Sequence, residues 1–328
     1  MSTVRVGLVG AGFIAHRHVD ALARLEGVQV VAVTDPRDDR AAALAARVGA
    51  RVHPDHRRML AVEAPDALYV CVPPYAHGPV ELAALEHGVP LFVEKPIALD
   101  LATAAAIGDA VRSTGVLAAT GYQWRYLDIV DRARDLLAAN PCRLVLGHWL
   151  DRAPGTEWWP FEAQSGGQLI EQTTHLFDLA RFLVGEITLV RAEGARIPRP
   201  TDAAAGDIHD VSTTILRFSS GAVGSISSTC LLRRGYRIGL ELICEGMALA
   251  LSESELVVDD GRDRLVHSTQ GDPLLREDRD FIDALRGGPC RVRAPYDEAL
   301  RTHRVATAAA RAAREGCSIE IRPAAADG

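Results

Sequence analysis

The stretch Gly10-Ala11-Gly12-Phe13-Ile14-Ala15 lies between a β-branched run at residues 4–9 and a helical segment at residues 15–25, and it constrains this chain more than any other. A strand that turns through glycines directly into a helix opens a dinucleotide-binding βαβ unit. Gly10 permits the tight turn, Gly12 lets a pyrophosphate approach the backbone, and Ala15 lets the helix pack close to the strand. Phe13 and Ile14 complete the loop. The helix N-terminus then offers unpaired N–H groups and the positive end of its dipole to the phosphates. A second β-branched run, residues 28–34, ends in Asp35. It stands about 20 residues downstream, where a carboxylate accepts from the adenosine ribose hydroxyls and repels a 2′-phosphate. The spacing therefore predicts NAD in preference to NADP. The alternative reading of Asp35 is a helix cap before Pro36 and Arg37.

The βα alternation continues, with strands expected at residues 50–53, 67–72, 91–93 and 116–120 and helices at 36–48, 54–60, 78–87 and 100–113. Strands separated by helices specify a doubly wound parallel sheet of α/β class, a Rossmann arrangement covered on both faces. We assign this domain to residues 1–121. The strand at 91–93 runs into Glu94-Lys95-Pro96, so a lysine sits at the C-terminal end of a parallel strand, where such folds place their chemistry.

Beyond residue 121 the period changes. Gly121-Tyr122-Gln123-Trp124-Arg125-Tyr126 alternates as a strand would, with Tyr122, Trp124 and Tyr126 on one side and Gln123 and Arg125 on the other. A helix (127–139), a strand (143–150) and an aperiodic stretch containing Trp158-Trp159-Pro160-Phe161 lead to a helix expected over residues 166–184. In that helix Glu171, His175 and Asp178 fall at i, i+4 and i+7, on one face. Strands then follow one another without helices between them, at residues 190–197, 211–219, 222–229, 237–245, 247–251, 255–259 and 265–268, before closing helices at 278–286 and 296–315. Residues 122–328 read as an α+β domain, with a large, mostly antiparallel sheet open on one face. A second copy of the chain, in a homodimer or homotetramer, is the expected cover for that face.

A net charge of −7 and a pI near 5.9 supply no basic footprint, which argues against nucleic acid and anionic membrane surfaces as partners. No stretch reaches the roughly 18 apolar residues of a membrane span. Gly7, Gly10 and Gly12 break the N-terminal apolar run, unlike a signal peptide. The six cysteines are scattered, with no zinc-ligand spacing, so we expect reduced thiols, no metal site and, by elimination, a cytoplasmic protein. Residues 323–328 are expected to be disordered.

These residues resemble the Gfo/Idh/MocA oxidoreductases over nearly the whole chain. The resemblance rests on the Gly10 to Ala15 loop, Pro73 with His77, Glu94-Lys95-Pro96, the Gly121 to Tyr126 stretch, the Gly166-to-Asp178 segment, and Asp278-Arg279-Asp280-Phe281-Ile282-Asp283-Ala284-Leu285. It implies an N-terminal Rossmann domain, a C-terminal open-faced sheet used for assembly, and reversible oxidation of a secondary alcohol on a sugar, cyclitol or related polyol by a nicotinamide cofactor. It also implies that Lys95 contacts the reacting hydroxyl, that His175 is the catalytic histidine, and that Gly10, Gly12, Ala15, Asp35, Pro73, His77, Glu94, Lys95 and Gln123 line the cofactor. Tyr122, Arg125, Trp158 and Asp178, with Lys95 and His175, are the candidate substrate contacts. Glu171 departs from the family's commoner aspartate by one methylene.

Alcohol oxidation needs a group to accept the hydroxyl proton and a positive group to stabilise developing alkoxide charge. His175 suits the first role, Lys95 the second, and Glu171 can orient them. The alternative is structural, with Lys95 closing a strand beside Glu94 and His175 satisfied in the core. The fold also hosts redox-neutral, NAD-dependent glycosidases and non-catalytic cofactor sensors. The latter would be expected to lack Lys95 or His175.

Overall fold

The computed structural model describes residues 3–197 and 206–322; the tail at 323–328, expected to be disordered, lies outside them. The chain forms two compact units, Met1–Tyr126 with Asp272–Leu300, and Leu127–Gly271 with Arg301–Gly328.

In the first unit, strands β1 (Val4–Val9), β2 (Val28–Thr34), β3 (Arg51–Val52), β4 (Ala67–Val70), β5 (Leu91–Val93) and β6 (Ala118–Thr120) form one parallel sheet in the order β3-β2-β1-β4-β5-β6. Helices α1 (Phe13–Leu22), α2 (Asp38–Val48), α3 (His56–Glu63), α4 (Pro79–Glu86) and α5 (Leu101–Thr114) alternate with the strands. β4, β5 and β6 are buried throughout, as continuous apolar runs between two helical layers must be. One layer packs Ala15, Val19 and Leu22 of α1 and Leu44 of α2 against Leu8, Tyr69 and Phe92. The other packs α3, α4 and α5 against Leu68, Val70, Leu91 and Val93. Asp55 and Asp100 cap α3 and α5, accepting from the amides of Arg58 and Thr103 at 2.8 Å each; such caps contribute about 1 kcal/mol apiece.

Two features differ from expectation. Residues 121–126 do not extend as a strand, because β6 ends at Thr120 and Gln123–Tyr126 coil into a single 3₁₀ turn. The alternation is lost and Trp124, Arg125 and Tyr126 are all buried. Secondly, the helix Pro273–Leu285, placed by chain order in a domain spanning 122–328, belongs to the first compact unit. Phe281 and Ile282 enter the core beside α1, and the Phe281 ring meets Tyr69 and Phe92 edge-on at 5.7 and 5.6 Å. Residues 291–295 follow, with Ala294 O accepting from both the amide and the hydroxyl of Thr120.

The second unit is built on nine strands: β7 (Leu144–Leu150), β8 (Ile187–Ala195), β9 (Val211–Phe218), β10 (Val223–Thr229), β11 (Arg237–Cys244), β12 (Met247–Leu251), β13 (Glu255–Asp259), β14 (Arg264–Ser268) and β15 (Ser318–Glu320). They order as β14-β13-β12-β11-β7-β10-β9-β8-β15, antiparallel except for the β7–β10 pair. Sequence reading misses β15, whose three residues are too few to show a period. Helices Asp128–Ala139 and Thr174–Val184 pack on this sheet. Alternation is strict in β9, where Ser212, Thr214, Leu216 and Phe218 are buried while Thr213, Ile215 and Arg217 are exposed. Among the described residues, no helix is long and apolar enough to cross a membrane.

Candidate active site

The dinucleotide turn forms as its glycines require. Gly10 takes φ +93°, and a Cβ there would lie 2.2 Å from the Cys71 carbonyl oxygen, so the chain can turn past β4 only without a side chain. Gly12 is the N-cap of α1, no side chain caps it, and nothing lies within 4 Å of an added Cβ. The first-turn N–H groups of α1 therefore face a cradle bare of side chains, the arrangement that binds a pyrophosphate. Phe13, in that first turn, is 80% exposed. The Asp35 carboxylate accepts from the amide of Ala11 at 2.7 Å and from that of Arg37 at 2.8 Å. It thus ties the end of β2 to the glycine turn, and with two acceptor positions per oxygen it retains capacity for ribose hydroxyls. Pro73 precedes a short 3₁₀ turn after β4. His77 is buried, with Nδ1 on the Glu81 carboxylate at 2.5 Å and Nε2 without a hydrogen-bond partner. An open cradle, a carboxylate with capacity to spare and an orphaned buried imidazole nitrogen all fit a nicotinamide dinucleotide.

Lys95 follows β5 at the C-terminal edge of the same sheet and is half-buried, with its peptide to Pro96 cis. Its amide donates to Glu94 Oε2 at 3.0 Å. Glu94 is 4% exposed, and its other oxygen accepts from His18 Nε2 at 3.0 Å. A Cβ on Gly121 would lie 2.4 Å from Glu94 Oε1, so glycine there is what lets the carboxylate approach β6. Gln123 is half-buried in the 3₁₀ turn. Tyr122 and Arg125, read from sequence as substrate contacts, are both buried in the first unit. Tyr122 is fully buried in the apolar core with Ile107, Tyr296 and Leu300. Arg125 is 1% exposed, donates to the Arg293 carbonyl at 2.7 Å and pairs with Glu298 at 3.6 Å. The collapse of 121–126 into a 3₁₀ turn carries both side chains inward.

In the second unit the expected single helix over 166–184 is broken into a turn at Gln168–Glu171 and a helix at Thr174–Val184. Gly166 and Gly167 hold φ of +73° and +80°, which no helix interior tolerates. The Thr173 hydroxyl pairs with Ser228 Oγ on β10 at 2.8 Å, and the β-branched Thr173-Thr174 pair has weak helix preference. Glu171 and His175 consequently belong to different helical segments. Glu171 Oε2 accepts from the Trp159 indole at 2.9 Å. His175 is buried, and its ring stacks on Trp149 at 5.7 Å with an interplanar angle of 11°. Asp178, 1% exposed, accepts from the Thr302 hydroxyl at 2.7 Å, which itself accepts from Arg181 Nη1 at 2.7 Å. Trp158 packs against the cluster of Trp159, Ile208 and Cys230. Sequence reading misses Trp149 and Thr302, and the contact of Trp159 with Glu171. The only signal for the tryptophans is their proximity in sequence to the histidine segment, and Thr302 carries none.

Comparison with known proteins gives a consistent picture. The profile described as oxidoreductase family, NAD-binding Rossmann fold, matches residues 4–122, and that of the GFO/IDH/MocA C-terminal domain matches residues 141–250. The scyllo-inositol 2-dehydrogenase (NAD(+)) of Bacillus subtilis (strain 168) is 30% identical over 244 residues, 73% of this chain and 71% of that protein. The myo-inositol 2-dehydrogenase of Thermotoga maritima is 26% identical over 91% of this chain and 86% of its own length. A levoglucosan dehydrogenase solved in complex with NADH superposes with a TM-score of 0.87 at 22% identity, covering 98% of this chain and all of its own; at that identity the likeness is one of fold.

Proposed function

Because the chain belongs to the Gfo/Idh/MocA oxidoreductase family, we propose that it catalyses reversible oxidation of a secondary alcohol on a cyclitol or sugar, with NAD as hydride acceptor. The observation that carries this reading is Lys95 at the C-terminal edge of the sheet whose β1–α1 turn is shaped for a dinucleotide. When bound, the nicotinamide supplies a two-electron acceptor for hydride. The Gly12 cradle holds the pyrophosphate, Asp35 the adenosine ribose, and Pro73, His77, Glu94 and Gln123 line the remainder of the dinucleotide. Lys95 orients the reacting hydroxyl and stabilises the charge that develops on its oxygen. His175 accepts the hydroxyl proton, its ring plane set by the stack on Trp149. Glu171, fixed by the Trp159 indole, biases the field around both. Asp178 supports the histidine helix through Thr302.

The chain's likeness to inositol 2-dehydrogenases makes inositols the first substrates to try. With NAD and a panel of inositols and hexoses, absorbance at the reduced-nicotinamide band should rise. Turnover should be much weaker with NADP, and Asp35→Ser should narrow the gap. Equal use of both cofactors by the wild type would sink the Asp35 assignment. Cleavage of glycosides with no net NADH would point to redox-neutral chemistry instead.

The open face of the nine-stranded sheet supports a homo-oligomer. Ile215 and Val223 are 52% and 50% exposed on adjacent strands, alongside the Thr213–Ser227 hydroxyl pair. Apolar side chains such as these left on an open sheet face are costly in water. Light scattering at micromolar concentration should give a dimer or tetramer; a monomer contradicts the proposal.

A further inference from the structure

Behind Glu94, away from the solvent, lies a cluster of charge in the first unit that the reaction outlined above does not use. His18 on α1 is fully buried. Its Nδ1 lies 2.9 and 3.0 Å from the two carboxylate oxygens of Asp278, and its Nε2 lies 3.0 Å from Glu94 Oε1. Tyr69 and Phe92 meet the imidazole edge-on at 5.2 and 4.9 Å. Glu277, 1% exposed, has no hydrogen-bond partner for either carboxyl oxygen, yet its carboxyl, His18 and Glu94 bring polar atoms within 4.8 Å of one another.

The geometry dictates a proton count. A neutral imidazole has one N–H and one lone pair, so it can satisfy only one of two flanking carboxylates. Both nitrogens of His18 face carboxyl oxygens at hydrogen-bonding distance, and with Asp278 and Glu94 both ionised that arrangement requires an N–H on each. Every nitrogen is thereby committed to a proton, so the cluster is organised around protons and not around a cation. The titratable and charged groups facing it are Arg17 from α1, Tyr69 from β4, Cys71 just beyond it, Glu94 from the end of β5, and Glu277 and Asp278 from the helix Pro273–Leu285. Burial alone would lower the His18 pKa, but Asp278 and Glu94 outweigh it and hold it well above the ordinary value. Burial, then the neighbouring Glu94 charge, pushes Glu277 well above the carboxylate range, and burial raises Asp278 too, against the opposing pull of His18.

We propose that His18, doubly protonated between Asp278 and Glu94, is a positioning residue for the strand end that carries Lys95, and that Asp278 holds His18 in that role. Glu94 is the mechanical link. One of its oxygens is taken by His18 and the other by the Lys95 amide, and Gly121 leaves no slack behind it. With the His18 N–H removed, a buried carboxylate oxygen loses its charged donor, a loss of the costly kind. Glu94 must then turn, and the Lys95 backbone turns with it. The inference rests on the catalytic reading of Lys95 for its functional half only.

The test uses the intact enzyme with ¹⁵N-labelled histidine. Long-range ¹H–¹⁵N spectra should show the His18 ring, assigned through His18→Gln, with both nitrogens protonated from about pH 6 to about pH 8, while accessible histidines titrate near 6.5. Asp278→Asn should return the ring to a titrating state within that window. In a folded Asp278→Asn enzyme kcat should fall about 10-fold, as for loss of a residue that orients a functional side chain, and the pH–rate profile should gain a group that the wild type lacks. A His18 ring with one N–H at pH 7 in the wild type overturns the proton assignment, and needs no substrate to be seen. An unchanged kcat and pH profile in folded Asp278→Asn overturns the positioning role.

Discussion

Lys95→Met and His175→Asn should each lower kcat about 10²- to 10⁴-fold, roughly 3 to 5 kcal/mol of transition-state stabilisation, while NAD affinity changes little. Both effects follow from where charge develops. As the hydroxyl loses its proton and the carbon its hydride, the oxygen becomes alkoxide-like, and only then do a positive ammonium and a proton acceptor contribute more than they do to bound alcohol. Methionine keeps the lysine stem's bulk and removes the charge; asparagine keeps a polar group and removes the titration. The double variant should lose less than the product of the two single losses, because neither group is effective without the other. Glu171→Gln should be milder and displace the pH–rate profile, since it alters the field and one acceptor of the Trp159 indole. Isothermal titration with NAD beside steady-state kinetics separates these outcomes. Near wild-type turnover in both single variants would reduce Lys95 to a strand end and His175 to a core residue.

Gly10→Ala should destabilise the protein by about 4 kcal/mol, lowering Tm by about 10 °C for a unit of this size. Two penalties add. The residue must hold φ +93° with a Cβ, and that Cβ meets a backbone oxygen at 2.2 Å, which cannot swing aside as a flexible side chain would. Gly12→Ala is the counterpart. Its φ of −82° suits any residue and its added Cβ meets nothing within 4 Å, so Tm without cofactor should stay within about 1 °C of wild type. The methyl instead occupies the cradle, so NAD affinity should fall about 10-fold or more, about 1.4 kcal/mol. Calorimetry with and without NAD distinguishes the two. Equal Tm values for both variants would mean that the turn is not held as described.

Much of this was legible in the chain because it is local. A glycine turn between strand and helix, an aspartate ending the next strand, and a lysine after a short apolar run all declare themselves within a few residues, and the covered parallel sheet follows from the alternation of strands and helices. What escaped was set by distant partners. Tyr122 and Arg125 read as an alternating strand until Arg293, Glu298 and the 296–300 segment draw them into the core. The i, i+4, i+7 spacing of Glu171, His175 and Asp178 assumes one helix, and the Thr173–Ser228 bond to a strand some 55 residues later accompanies its break. His18 and Asp278 stand 260 residues apart, and no local period couples a histidine on α1 to an aspartate on the helix Pro273–Leu285.

The same long return sets an order of events during synthesis. When residue 126 leaves the ribosome, all six parallel strands exist, yet the layer beside α1 lacks Phe281 and Ile282, and His18 faces Glu94 without Asp278. Residue 272 follows about 7 to 30 s later at bacterial or eukaryotic elongation rates of roughly 20 to 5 residues per second. Throughout that interval Tyr69 and Phe92 present an uncovered aromatic surface, whose closure by a fully buried phenylalanine is worth about 1.5–3 kcal/mol. The nascent nucleotide-binding half is therefore a sheet waiting for its lid, and proteolysis or chaperone capture should find it most vulnerable before the chain has passed residue 285.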